Sequence, residues 1–153
     1  MTRRQIMPSQ WLIADVRLGD RLRPVVRKLS PGSAVLVLYH ELPRHERAEI
    51  LRRLHRSSKR LVLVDEAKAF ARVHDIRELR RALLHRTPTI LLSPLYPTKS
   101  HPDWKPLPRM RAAALARLAR RRLVALGGMN ARRFRQIERL GFQGWAGIDA
   151  FRT

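Results

Sequence analysis

Six short apolar runs, each continuous rather than alternating, limit what this chain can fold into. They cover residues 11–14, 34–39, 61–64, 89–92, 123–126 and 145–148. A strand covered on one face alternates apolar with polar residues. A strand covered on both faces is apolar throughout, as in parallel sheets. Between the runs lie arginine-rich segments with helical spacing. Ile50, Leu51 and Leu54 share one helix face, as do Ile76, Leu79 and Leu83, and Leu115 with Leu118. Phe134, Ile137 and Leu140 recur every third residue, with Asn130 placed to cap that helix and Gly141 to end it. Strand alternating with helix implies right-handed crossovers and an α/β layer fold.

A chain of 153 residues fits one domain and can bury a core without disulfides or metals. Its organisation reads as 1–153 throughout: three strands over 10–65, a shortened helical segment over 66–87, and a C-terminal part over 88–151 that carries the phosphate-type loops. The absence of cysteine excludes a disulfide scaffold, cysteine zinc sites and a thiolate nucleophile, and it fits a reducing cytoplasm. The net charge of +21 attracts phosphates and nucleic acid. It is spread through pairs such as Arg52-Arg53, Arg80-Arg81 and Arg132-Arg133, mostly in helical segments. Solvated outer faces account for it, so nucleic acid is expected to bind only non-specifically. No apolar run approaches the roughly 20 residues of a membrane span, and residues 1–10 lack the apolar stretch of a signal peptide. A cytoplasmic protein with no membrane partner is expected.

The residue after each strand carries the chemistry. The runs lead into Asp15, Tyr39 and His40, Asp65, Ser93, Gly127-Gly128 and Asp149. Parallel α/β proteins build their sites at these carboxyl ends. Turns are polar in any fold, yet a full set accompanied by two unusual loops points to a site. The first loop runs Ser93, Pro94, Leu95, Tyr96, Pro97, Thr98, Lys99, Ser100, His101. Its hydroxyls can donate to phosphate oxygens, and Lys99 or His101 can supply charge. The second runs Leu126, Gly127, Gly128, Met129, Asn130, where paired glycines let backbone N–H groups approach an anion. Among the histidines, His40 is the candidate acid or base, whereas His45, His55 and His85 read as surface or core. Ser93 lacks the glycines of a nucleophile elbow, which argues against hydrolase chemistry. Trp104 follows the first loop and can either close over a ring or pack.

Three segments resemble the thiamine phosphate synthase and TenI family, in order and spacing, over about the last two-fifths of the chain. The loop from Ser93 to His101 is similar to that family's aromatic-Pro-Thr loop ending in a hydroxyl and a lysine. The stretch Ala125, Leu126, Gly127, Gly128, Met129 resembles its Ala-x-Gly-Gly-Ile segment, and the stretch from Leu140 to Ala150 its closing strand. The resemblance implies a β/α barrel and a reaction joining hydroxymethylpyrimidine diphosphate to thiazole phosphate, with magnesium and loss of pyrophosphate. Diphosphate would leave first, and the thiazole nitrogen would attack the pyrimidine cation. Thr98 and Ser100 would touch diphosphate and the thiazole phosphate, Gly127 and Gly128 would hold that phosphate through backbone, and Asp65 would help bind magnesium. The chain departs from the family in several places. His101 stands where the family has lysine, Val64 replaces an asparagine, and the Gln-x-Arg-x-Lys after strand two is absent. A second metal-binding Asp has no counterpart.

An eight-stranded barrel takes about 200–250 residues. Six runs in 153 residues therefore predict a shortened TIM-type β/α barrel with about six parallel strands, two strand-helix units being lost near Val73, His74 and Asp75. Its open edges would close tighter, stay open, or be covered in a homodimer. The expected function is that of a thiamine phosphate synthase-like transferase. Alternatives are a non-catalytic binder of thiazole phosphate or thiamine phosphate, a TenI-type tautomerase, and a basic nucleic-acid-binding domain.

Overall fold

The structure is a computed structural model that describes residues 8–57, 62–65, 70–120 and 122–152; the side chains of Val62 and Asp65 fall outside it. The elements in chain order are β1 Gln10–Ala14, α1 Leu22–Lys28, β2 Ala34–Val37, α2 Arg44–Ser57, β3 Val62–Asp65, β4 Phe70–Val73, α3 Ile76–Leu84, β5 Thr89–Leu92, α4 Arg109–Leu118, β6 Leu123–Ala125, α5 Ala131–Ile137 and β7 Gly144–Gly147. All strand pairs are parallel, and the sheet order is β3-β2-β1-β7-β6-β5-β4. This is the α/β, TIM-type architecture expected.

Among the described residues the strands number seven rather than about six. The addition, β4, lies inside the 66–87 segment that reads as helical in the sequence. It escapes a search for apolar runs because Arg72 interrupts it. Ala71 and Val73 face the core under the helices, while Phe70 packs on the opposite side with the β1–β2 core. Arg72 shares the parity of Phe70 and lines the open mouth of the fold, where charge is solvated.

Both faces of the sheet are covered, which explains the continuous apolar runs. Leu91, Val124 and Ala146 join the core built around β1 and β2. Their neighbours Ile90, Leu92, Leu123, Ala125 and Trp145 pack instead with residues of α3, α4 and α5. Leu79 of α3, Ala112, Leu115 and Ala116 of α4, and Ile137 of α5 fill that outer layer. Leu54 of α2 is buried with Ile50 and Leu51 against it. Ile76 and Leu118, expected on buried faces, are 44% and 42% exposed, each at a terminus of its helix. Asp75 caps α3 by accepting from the Glu78 N–H at 2.8 Å, and Asn130 caps α5 by accepting from Arg133 N–H at 2.9 Å.

The sheet curls on itself. Laid flat, seven strands at ~4.8 Å spacing would hold β3 and β4 roughly 29 Å apart. Five peptide units join Asp65 to Phe70 and reach at most about 18 Å. Curling is visible directly: Arg72 of β4 lines one cavity with Asp15, Leu38 and His40, at the ends of β1 and β2. No described helix is long and apolar enough to cross a membrane.

Leu91 is fully buried in the interior. Leu91→Ala is expected to lower unfolding free energy by about 2–5 kcal/mol in chemical denaturation, because the closed interior cannot collapse onto the void.

Candidate functional site

The carboxyl ends of the strands surround a cavity of about 480 Å³. Its wall includes Ser93, Thr98, Lys99, Ser100 and His101 from the loop after β5, and Gly127, Gly128 and Met129 from the loop after β6. The two loops are in contact. Leu95 N–H donates to the Leu126 carbonyl at 3.0 Å, and Tyr96 N–H to the Gly127 carbonyl at 3.1 Å. Arg133 donates through Nη1 to the Gly128 carbonyl.

Contact at this range requires glycine at both positions. A Cβ on Gly127 would lie 2.8 Å from Pro94 Cα, and one on Gly128 would run into the Pro97 carbonyl oxygen. Both residues have positive φ, 93° and 59°. The consequence for chemistry follows from peptide planarity. In a trans peptide the N–H points opposite to the preceding C=O. With the carbonyls of Leu126, Gly127 and Gly128 bonded back into the protein, the N–H groups of Gly127, Gly128 and Met129 face the other way. Successive backbone N–H groups left unbonded at a positive-φ turn are the raw material of an anion site.

Side chains add charge. Arg17, Arg72, Lys99 and Arg133 line the cavity, with Asp149 the one carboxylate among the described lining residues. Arg133 lies over the Tyr96 ring at 4.9 Å, and Tyr96 OH donates to Gln136 Oε1 at 3.1 Å, so the guanidinium is clamped in place. Arg17 bridges the rim. It donates to Asp15 through Nε at 2.9 Å and Nη2 at 2.6 Å, and to Ser100 Oγ through Nη1 at 2.6 Å. Thr98 Oγ1 accepts from Ser100 N–H at 3.3 Å, which leaves its own proton to donate.

An aromatic group stands at the mouth. His101 stacks on Trp104 with centroids 4.3 Å apart, and His74 meets Trp104 edge-on at 5.2 Å. Glu78 holds His74 by accepting its backbone N–H at 2.6 Å and lying 2.9 Å from Nδ1. The Nε2 atom of His74 is buried without a partner among the described residues.

The expected site residues divide as follows. Thr98, Lys99, Ser100, His101, Ser93, Gly127, Gly128 and Asp149 all line the main cavity. Asp149 is exposed and meets Arg152 Nη1 at 3.3 Å. Asp15 and His40 line an adjoining cavity of about 310 Å³ with Val16, Arg17, Leu38, Glu41 and Arg72. Asp15 also caps the turn that follows, accepting from Arg17 N–H at 2.9 Å. Asp65 ends β3, and its side chain lies outside the described residues.

Sequence reasoning missed Arg17, Arg72, His74 and Arg133. Arg133 belongs to a pair read as a solvated face, yet it turns inward to Gly128. His74 follows the missed strand. The pattern Asp75-x-x-Glu78 marks a helix start at Ile76, and a strand just before that start would have placed His74 on the rim.

Tyr39, at the end of β2, is buried, and burial first, then the Asp15 carboxylate, pushes its phenol up to about 12.

Residues 43–151 match the sequence profile of a family described as thiamine monophosphate synthase. Among curated protein sequences none matches the chain. Solved structures share the fold. Thiamine phosphate pyrophosphorylase from Pyrococcus furiosus superposes with a TM-score of 0.69 at 16% identity, over 97% of this chain and 92% of that one. The enzyme of that name from Bacteroides thetaiotaomicron gives 0.59 at 15% identity, over 94% of this chain and 84% of the other.

Two outcomes are expected of the isolated protein. Gly128→Ala should cost more than about 2 kcal/mol in denaturant unfolding, because backbone must shift. Gly32→Ala, also at positive φ but with nothing within 4 Å of its Cβ, should cost about 1 kcal/mol. The second outcome concerns pH. An unfolded Tyr39 ionises near 10 and the folded one near 12, so stability is full below pH 10 and is lost as pH rises between these values. Tyr39→Phe should flatten that part of the unfolding-versus-pH curve.

Proposed function

Because the chain belongs to the thiamine monophosphate synthase family, we propose that its main cavity takes the phosphate of a thiazole phosphate. We further propose that the protein joins the thiazole to hydroxymethylpyrimidine diphosphate. The observation that carries this reading is the packed pair of loops: a double-glycine turn whose carbonyls are bonded back into the protein, lining the cavity together with Arg133. A phosphate dianion bound there meets donors that need no reorganisation. Thr98 Oγ1 supplies a further hydroxyl donor, and Lys99 further charge. Trp104, stacked on His101 at the mouth, offers a flat face to a ring.

In the proposed reaction the carbon–oxygen bond between the pyrimidine methylene and diphosphate breaks, and the electron pair leaves with the diphosphate. The thiazole nitrogen lone pair then forms the new carbon–nitrogen bond. No proton need move, so no acid or base is required of the protein. Its work is to hold two anions, orient two rings and neutralise the leaving charge.

The resemblance assigns that neutralisation to magnesium on Asp65. The Asp65 side chain lies outside the described residues. None of the described residues forms a group of three His, Asp or Glu able to hold a metal ion. Asp15 is engaged by Arg17, and Asp149 lies near Arg152. No step is therefore routed through a metal.

A second reading is a protein that binds thiazole phosphate or thiamine phosphate without turnover. It is favoured by the end of β2, where Leu38, His40 and Glu41 line the adjoining cavity in place of the family's basic residues.

Calorimetry with thiazole phosphate is expected to show one site, weakened roughly tenfold or more in Arg133→Ala, a loss typical of a charged hydrogen bond. Supplied with both substrates, the protein should release pyrophosphate. Binding without release selects the second reading, and no binding by folded protein rejects both.

A further inference from the structure

We propose that this cavity binds a diphosphate-bearing ligand without a divalent cation, and that Arg17 and Arg72 carry the charge a metal would otherwise supply. The inference rests on the reading above, that two anionic groups meet in this site.

The charge balance motivates it. Four permanent cations, Arg17, Arg72, Lys99 and Arg133, line the main cavity against Asp149. A divalent cation entering there meets repulsion, and among the described residues Asp149, 3.3 Å from Arg152, is the main cavity's one carboxylate; in the adjoining cavity Asp15 is held by Arg17 at 2.6 Å, with Glu41 also on its wall. The same cations attract a polyanion.

Placement singles out two of the four. Arg17 and Arg72 line both the main cavity and the adjoining one, whereas Lys99 and Arg133 line the main cavity alone. The pair thus stands at the junction, beyond the amide turn that suits the first phosphate. Arg17 is fixed there by Asp15 on one side and Ser100 on the other. Arg72 projects from the mouth-facing side of β4, its guanidinium 5.9 Å from the centre of the Phe70 ring. It makes no ion pair with a carboxylate among the described residues, so its planar fork is available to oxygens of a ligand. The pairing also accounts for the residue that breaks the apolar pattern of β4. Near-planar, fixed donors suit the paired oxygens of a diphosphate, and their charge does not depend on pH in the working range.

The test is calorimetry of the full chain with inorganic pyrophosphate and, separately, with thiazole phosphate, each in EDTA and each with added magnesium. Pyrophosphate should bind in EDTA as tightly as in magnesium or tighter. Arg72→Met should weaken pyrophosphate roughly ten- to hundredfold, as loss of a charged hydrogen-bonding partner does, and Arg72→Lys should recover part of that loss. Thiazole phosphate affinity should change by less than about threefold in Arg72→Met. Melting curves establish that each variant is folded, and should Arg72→Met unfold, Arg72→Gln takes its place. Pyrophosphate binding that appears only with magnesium overturns the proposal. So does binding in neither condition, or an unchanged affinity in folded Arg72 variants. Failure of thiazole phosphate to bind, with the pyrophosphate results as expected, rejects the assignment of the ring substrate and leaves the arginine pair standing.

Discussion

The short covalent link between β3 and β4 governs this molecule. Seven parallel strands laid flat would hold the outermost two roughly 29 Å apart. With five peptide units from Asp65 to Phe70, the outer strands are drawn toward each other and the sheet must bend. Bending creates an inside. Leu91, Val124 and Ala146 fill it, and the residues alternating with them are left to the helices. It also carries the carboxyl ends of distant strands to a common mouth, which is why Arg72 of β4 reaches the same cavity as Asp15 of β1.

At that mouth, backbone does more than side chains. The turn at Gly127 and Gly128 is pressed against Pro94 and Pro97 so closely that no Cβ fits. The contact consumes the carbonyls of Leu126 and Gly127, and Arg133 takes that of Gly128, which fixes the peptide planes of the turn. Arginines then dress this frame: Arg133 leans on Tyr96, and Arg17 ties the first strand to the loop after β5. Positive charge is thus organised by specific partners, although most arginines of the chain are on exposed surface.

The parts legible in the sequence were those with a local physical signature. Buried strands announce themselves as apolar runs, and all six matched within two residues or fewer at either end. The helix starting after Asn130 was readable from its cap. The double glycine was readable as a close approach, and the hydroxyl loop as its neighbour on the rim. What stayed hidden depends on which way a strand turns. A strand with an inward arginine, β4, looks like the start of a helix until the sheet is known to curl. His74 was lost with it. Arg17 and Arg133 were concealed by abundance: in so basic a chain, no local pattern separates a structural guanidinium from a solvated one.

The indole of Trp104 has an optical consequence. The chain holds three tryptophans, and Trp11 and Trp145 are 1% and 4% exposed while Trp104 is 44% exposed. Trp104 stacks on one imidazole and meets another at its edge. A solvent-exposed indole emits at longer wavelength than a buried one, so the red-edge fluorescence of this protein belongs mostly to one residue. The fold has in effect installed its own lamp at the entrance, and whatever passes that entrance alters the colour and brightness of a single, assignable signal.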